Sequence, residues 1–140
     1  MARLIAGRAV VAGTAEGEAL VTSEPLSFWG GFDFKTGEII DRHHPLAGVR
    51  AAGRVLAVPF SKGSSTTTAV LLEAVRAGTA PAAIVTTGPG AFFALASIVA
   101  GTMYDKSFAV VALEPGDFAT LVTGMRIAID RAGLVRIDDL

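Results

Sequence analysis

The spacing of apolar and polar residues divides the chain into a Gly-punctuated first half and an alternating second half. Arg8–Ala12 and Glu18–Thr22 are short β-prone runs, separated by Gly13–Gly17, a turn signal. Ser23–Gly53 reads as a long, ordered excursion of turns with little helix, holding Trp29, Gly30-Gly31, the strand-like Glu38–Ile40 and Pro45. Arg54–Pro59 is a nearly continuous apolar run, the pattern of a strand buried on both faces. After the small polar loop Ser61–Ser65, the period becomes helical over Thr66–Ala77, with Ala69, Leu72 and Val75 on one face and Gly78 as the stop. Pro81–Val85 is a second buried strand and Phe108–Leu113 a third. Between them Pro89–Ala100 predicts a short apolar helix that starts on proline and ends at Gly101. Met125–Asp130 and Leu134–Ile137 alternate at period two around Arg131-Ala-Gly133, a hairpin signature. The order strand–loop–helix–strand–helix–strand between two β-rich ends predicts an α/β fold with parallel core strands and antiparallel flanking strands.

Composition narrows the function classes. At 140 residues the length fits one domain, 1–140, better than two. With 12 Lys+Arg against 13 Asp+Glu the net charge is −1, which excludes a strongly basic nucleic-acid platform. There is no Cys, so this chain can ligate neither a thiolate-bound zinc nor an iron–sulfur cluster. No apolar run approaches the ~20 residues of a membrane span, and the N-terminus lacks the apolar core of a signal peptide, so a cytoplasmic, membrane-free protein is expected. A hydrophobic share of 51% with only 18% charged residues is rich for a free-standing domain. That surplus suits a surface covered by a partner, although small Ala-rich domains reach the same figure unaided.

Candidate chemistry concentrates at Ser61-Lys62-Gly63-Ser64-Ser65, between a buried strand and a helix start. Ligands of open α/β sheets collect beyond the carboxyl ends of the strands, and a helix start offers unpaired N–H groups and a positive dipole end. Gly63 permits close backbone approach, Lys62 adds a cation, and Ser64 or Ser65 offers a hydroxyl. The plainer reading is that a serine here is only the helix N-cap, a contribution of roughly 1 kcal/mol. As a base, a serine needs its alkoxide stabilised. A helix terminus gives at most about 2 kcal/mol, or roughly 1.5 pKa units, so further cations are required.

Familiar alternatives fail on spacing. Lys62 precedes its glycine, unlike a phosphate-binding P-loop; Gly88-Pro89-Gly90 is too short for a dinucleotide fingerprint; and no G-x-S-x-G is present. His43 and His44 are adjacent and, if extended, point to opposite faces, so with Asp41 they make at best a partial metal site; a turn with one imidazole capping backbone is the simpler account of Asp41–Pro45. Phe28, Trp29, Phe32 and Phe34 read as an aromatic cluster under the long loop rather than a base-stacking surface, because basic residues do not interleave with them.

Several longer stretches carry a resemblance. Glu18-Ala-Leu-Val-Thr-Ser-Glu-Pro-Leu-Ser-Phe-Trp-Gly-Gly31, Thr36-Gly-Glu-Ile-Ile-Asp-Arg-His-His-Pro45, Gly63-Ser-Ser65 and Ala80-Pro-Ala-Ala-Ile-Val85, in that order, resemble the small subunit of aconitase X, the swivel-domain half of a dehydratase family. The resemblance implies the swivelling β/β/α domain of the aconitase superfamily and an active site shared with a large subunit. That subunit would carry the iron or iron–sulfur centre, with no cofactor bound by this chain alone. It implies a small carboxylate substrate and Ser64 as the alkoxide base, with Lys62, Gly63 and Ser65 as substrate-binding residues. Trp29, Gly30, Gly31 and His44 are then expected to close the cleft or contact the large subunit. Members of the family dehydrate either cis-3-hydroxy-L-proline or mevalonate 5-phosphate, and the Phe-Trp-Gly-Gly form of the loop resembles the hydroxyproline branch. Lys62 departs from the Arg common before Gly-Ser-Ser, which removes a bidentate fork. Gly88–Ala96 lacks the acidic residue and later glycine typical of that segment. Two other readings stay open. One is a non-catalytic swivel module that binds a partner. The other is an independent hydrolase with Ser64 as nucleophile, for which only His43 and His44 could serve as base.

Overall fold

The computed structural model describes residues 2–60 and 66–138, and Lys62, Gly63, Ser64 and Ser65 therefore lie outside the described residues. Ten strands are described: β1 (Ala2–Ala6), β2 (Arg8–Val11), β3 (Ala15–Val21), β4 (Phe32–Asp33), β5 (Glu38–Ile39), β6 (Val55–Ala57), β7 (Ala83–Thr86), β8 (Ala109–Ala112), β9 (Arg126–Ile129) and β10 (Leu134–Asp138). With them are a short turn α1 (Phe28–Gly31), helices α2 (Thr66–Ala77) and α3 (Ala91–Tyr104), and one further turn α4 (Pro115–Phe118). Eight strands form one sheet in the order β1-β10-β9-β3-β6-β7-β8-β2, while β4 and β5 pair separately.

The expected mixture of parallel and antiparallel strands is found. β3, β6, β7 and β8 run parallel, and β1, β10, β9 and the first half of β3 run antiparallel. β3 joins the two regimes. Ala15–Glu18 pairs with β9, whereas Ala19–Val21 pairs with β6. The predicted turn over Gly13–Gly17 is thus shorter than expected, and Gly17 sits inside a strand. A Cβ there would stand 3.1 Å from the Gly53 carbonyl oxygen, tighter than ordinary contact, so a side chain would require that neighbouring backbone to give by a few tenths of an ångström.

The edge strands β1 and β2 are consecutive in sequence, joined through Gly7 alone. One residue cannot span an open eight-stranded sheet, so the sheet curls until its edges meet in a nearly closed barrel. Strand alternation fills both sides. Val55, Ala57, Ala83, Val85 and Val111 point into the barrel with Ile127 and Val135, while Leu56, Val58, Ile84 and Val110 point out to the layer of α2 and α3. These central strands are buried throughout, as their unbroken apolar runs require.

The helices correct two expectations. In α2 the buried residues are Thr67, Val70, Leu71, Ala74 and Val75, and Ala69 is exposed, so the core stripe lies one step round from the predicted face. α3 begins after Pro89, with Gly90 as N-cap, and runs through Gly101 to Tyr104. A mid-helix glycine costs only about 1 kcal/mol, and the extra turn packs Tyr104 against the outer core. The chain then leaves the helix through Asp105 at φ 54°. Among the described residues no helix is long and apolar enough to cross a membrane.

Candidate functional site

The carboxyl ends of the four parallel strands define one edge of the barrel. β6 delivers Pro59 and Phe60 to it, β7 delivers Thr86 and Thr87, β3 delivers Thr22, and β8 leads to Leu113 and Glu114. α2 and α3 both start at this edge, and Thr68 Oγ1 donates to the Phe92 carbonyl at 3.2 Å, tying their first turns together. Phe60 and Thr66, which flank residues 61–65 in sequence, both belong to this edge.

The exit from β6 is held by a clamp that sequence reasoning missed. The Pro59 carbonyl accepts the Thr87 N–H at 3.1 Å, the Thr86 hydroxyl at 3.0 Å and the Thr87 hydroxyl. Thr86 is fully buried, so this hydrogen bonding satisfies a hydroxyl that would otherwise be costly inside the core. The result is a fixed anchor two residues before position 61. No local signal exposes the clamp, because a threonine in a buried run reads simply as a β-branched strand residue.

Three clefts open along the same edge. One of about 200 Å³ lies between Phe60, Thr86, Thr87 and the start of α3. A second, about 330 Å³, is bounded by Thr22, Ser23, Pro59, Thr87 and Phe118. The third, about 380 Å³, contains Arg8, Gly88 and Glu114 beside the β1–β2 junction. Arg8 comes from the far end of the sequence because β2 runs antiparallel to β8, placing Arg8 opposite Ala112. Its guanidinium donates to the Gly88 carbonyl at 3.1 Å and so braces the turn leading into α3.

The aromatic loop lies beside α2. Phe28 is fully buried, with its ring centroid 5.5 Å from Phe32 and 5.9 Å from Phe93, so the expected cluster under the loop exists. Trp29 points the other way and is 69% exposed, above a shallow cleft shared with Phe32, Phe34 and Val70 of α2. Gly30 has φ 78°, the left-handed turn that directs Trp29 outward. Gly31 is buried against Leu26 and Asp41.

His43 and His44 do face opposite ways: His43 is exposed and His44 buried. His44 Nδ1 accepts the Leu46 N–H at 3.1 Å and Asp41 Oδ1 accepts the His43 N–H at 3.0 Å, the backbone-capping turn anticipated for this segment. His44 Nε2 is buried without a partner, and the residue lines none of the three clefts at the strand ends. Among the described residues no three His, Cys, Asp or Glu side chains are grouped to hold a metal, and the chain has no cysteine. The donor set does not fit an iron or iron–sulfur centre held by these residues.

Residues 4–137 match the family model described as aconitase X swivel domain. The chain is 47% identical over 112 residues to cis-3-hydroxy-L-proline dehydratase of Pseudomonas aeruginosa, an alignment covering 80% of this chain and 19% of that protein. It is 37% identical over 125 residues to the phosphomevalonate dehydratase small subunit of Pyrococcus furiosus, covering 89% of this chain and 87% of that one. The fold superimposes on the crystal structure of Thermococcus kodakaraensis aconitase X (holo-form) with a TM-score of 0.86 at 32% identity, over 98% of this chain and 99% of that chain. The chain thus spans about a fifth of the two hydroxyproline dehydratases it matches, 19% and 21% of their lengths.

Proposed function

This chain belongs to the aconitase X swivel domain family, and on that premise we propose that it is the small subunit of a two-part hydro-lyase that dehydrates cis-3-hydroxy-L-proline. The observation that carries the reading is the open edge where four parallel strands end and two helices start, with Phe60 and Thr66, the neighbours in sequence of the segment that contains Ser64, both belonging to it. An edge of this kind gathers anionic ligands but leaves them half covered, which is the form expected of one side of a shared cleft. The identity of 47% to a hydroxyproline dehydratase, against 37% to a phosphomevalonate dehydratase small subunit, supports the choice of substrate.

In the proposed reaction Ser64, as alkoxide, takes the proton beside the substrate carboxylate. The C–H electron pair forms the new C=C bond as the C–O bond breaks and hydroxide leaves. For cis-3-hydroxy-L-proline the resulting enamine tautomerises to Δ1-pyrroline-2-carboxylate. A helix terminus contributes at most about 2 kcal/mol toward an alkoxide, so in this reading Lys62 and cations from the large subunit supply the remainder. Thr86 and Thr87, through Pro59, fix the point from which the Ser64 segment departs. An iron or iron–sulfur centre would belong to the large subunit, and no step is assigned to this chain through it.

Mevalonate 5-phosphate is the second reading, favoured by one observation: the alignment spans 87% of a separate phosphomevalonate dehydratase small subunit. Assaying both substrates with this chain, with and without its large subunit, separates the two. The expected result is dehydration of cis-3-hydroxy-L-proline by the mixture alone. Ser64→Ala should reduce that turnover by about 10²- to 10⁴-fold or more while folding and assembly persist. Near-normal turnover of the variant would leave the chain a non-catalytic assembly module, and activity only on mevalonate 5-phosphate would replace the substrate.

A further inference from the structure

Helix α3 contains no charged residue in its 14 positions. Its core face is Phe93, Ala96, Ser97 and Ala100. The opposite face should be polar if it met water, yet Phe92, Leu95, Ile98 and Met103 are exposed there by 37%, 47%, 57% and 58%. The neighbouring helix α2 behaves as a surface helix should, with an ion pair between Glu73 and Arg76 on its outer side. The apolar strip on α3 is therefore a property of that helix and not of the layer. Continuous exposed strips of this kind mark interaction surfaces.

Two observations bear on what covers it. Phe92 belongs both to the strip and to the cleft with Phe60 and Thr87, so whatever covers the strip continues onto the proposed site. In the Pseudomonas aeruginosa relative the matched stretch is 19% of a single chain, so a much larger body accompanies this domain there. We propose that the outer face of α3, from Phe92 through Leu95 and Ile98 to Met103, is a docking surface for apolar side chains of the large subunit. The identity of the partner rests on the function proposed above.

The test is capture of this chain by its tagged, co-expressed cognate large subunit. Leu95→Glu/Ile98→Glu is compared with wild type and with Leu4→Glu, which alters an equally exposed leucine on β1, 63% accessible and away from this helix. All four positions on the strip are exposed, so circular dichroism and thermal melting should show the variants folded; Met103→Lys serves if the double variant is not. The expected result is an affinity lower by about 30-fold or more for the α3 variants and unchanged for Leu4→Glu. Wild-type affinity of folded α3 variants overturns the proposal. So does a dimer of the isolated chain, seen by light scattering, that these substitutions dissolve while the complex stays intact. A complex that is lost with the α3 variants, yet is inactive on either substrate as wild type, leaves the docking surface standing and refutes the proposed reaction.

Discussion

Replacing Gly7 with alanine tests the closure of the barrel most directly. Gly7 is the single residue between the two edge strands, and its N–H donates to the Gly133 carbonyl at 3.0 Å. An added Cβ would meet Gly133 O and Leu113 Cδ2 at 2.9 Å each, and would press well inside contact distance of Val111 Cγ1. Val111 is a β-branched residue inside the barrel and Gly133 O is backbone, so neither can swing aside at little cost. Overpacking of this kind costs about 1–3 kcal/mol. The lower entropy of the unfolded alanine chain offsets about 0.4–1 kcal/mol of it. The expected net loss is about 1–2 kcal/mol, a fall in Tm of about 3–7 °C at this chain length. Thermal and urea unfolding followed by circular dichroism measure it. Gly116→Ala is the control, because nothing lies within 4 Å of its added methyl group, and it should melt at or slightly above the wild-type temperature. If Gly7→Ala melts within a degree of wild type, the edges are not held as tightly as described.

Two further substitutions probe buried hydroxyls. Ser97 Oγ both donates to the Phe108 carbonyl and accepts the Phe108 N–H at 3.1 Å, fully buried. Ser97→Ala leaves both backbone groups unpaired and should cost about 1–3 kcal/mol in urea unfolding. Thr86→Val keeps the shape but removes one donor to Pro59. It should lower stability by about 0.5–1.5 kcal/mol and, in the reconstituted enzyme, reduce kcat more than it raises KM, because Pro59 sets the approach to the Ser64 segment.

Much of the parallel half was legible because its signals are local. Both-face burial makes Val55–Ala57, Ala83–Thr86 and Ala109–Ala112 continuous apolar runs, and Gly78 follows α2 directly, so its limits agree with the helical period. What escaped was non-local. β1 has only five residues and finds its partner β10 at the opposite end of the chain, with Ala2 opposite Asp138. Gly17 looked like a turn residue because nothing nearby in sequence announces the approach of Gly53. The edge that should carry the chemistry was readable from the strand–loop–helix pattern. Its furnishing was not, since Arg8 and Glu114 lie more than a hundred residues apart and meet only where β2 pairs with β8. His44, expected to close the cleft or contact the large subunit, has its Nδ1 engaged by the Leu46 N–H within its own turn, a local bond that the resemblance does not announce.

The pairing of the first strand with the last also dictates an order of assembly. β6, α2, β7, α3 and β8 can associate through near neighbours in sequence, but β1 has no partner until β10 has been synthesised. Contacts between chain ends carry the largest loop-closure entropy and tend to form after the folding transition state. The seam at Gly7 should then be among the last parts to lock. Strain placed there would leave the refolding rate nearly unchanged and shorten the lifetime of the folded chain by accelerating its unfolding.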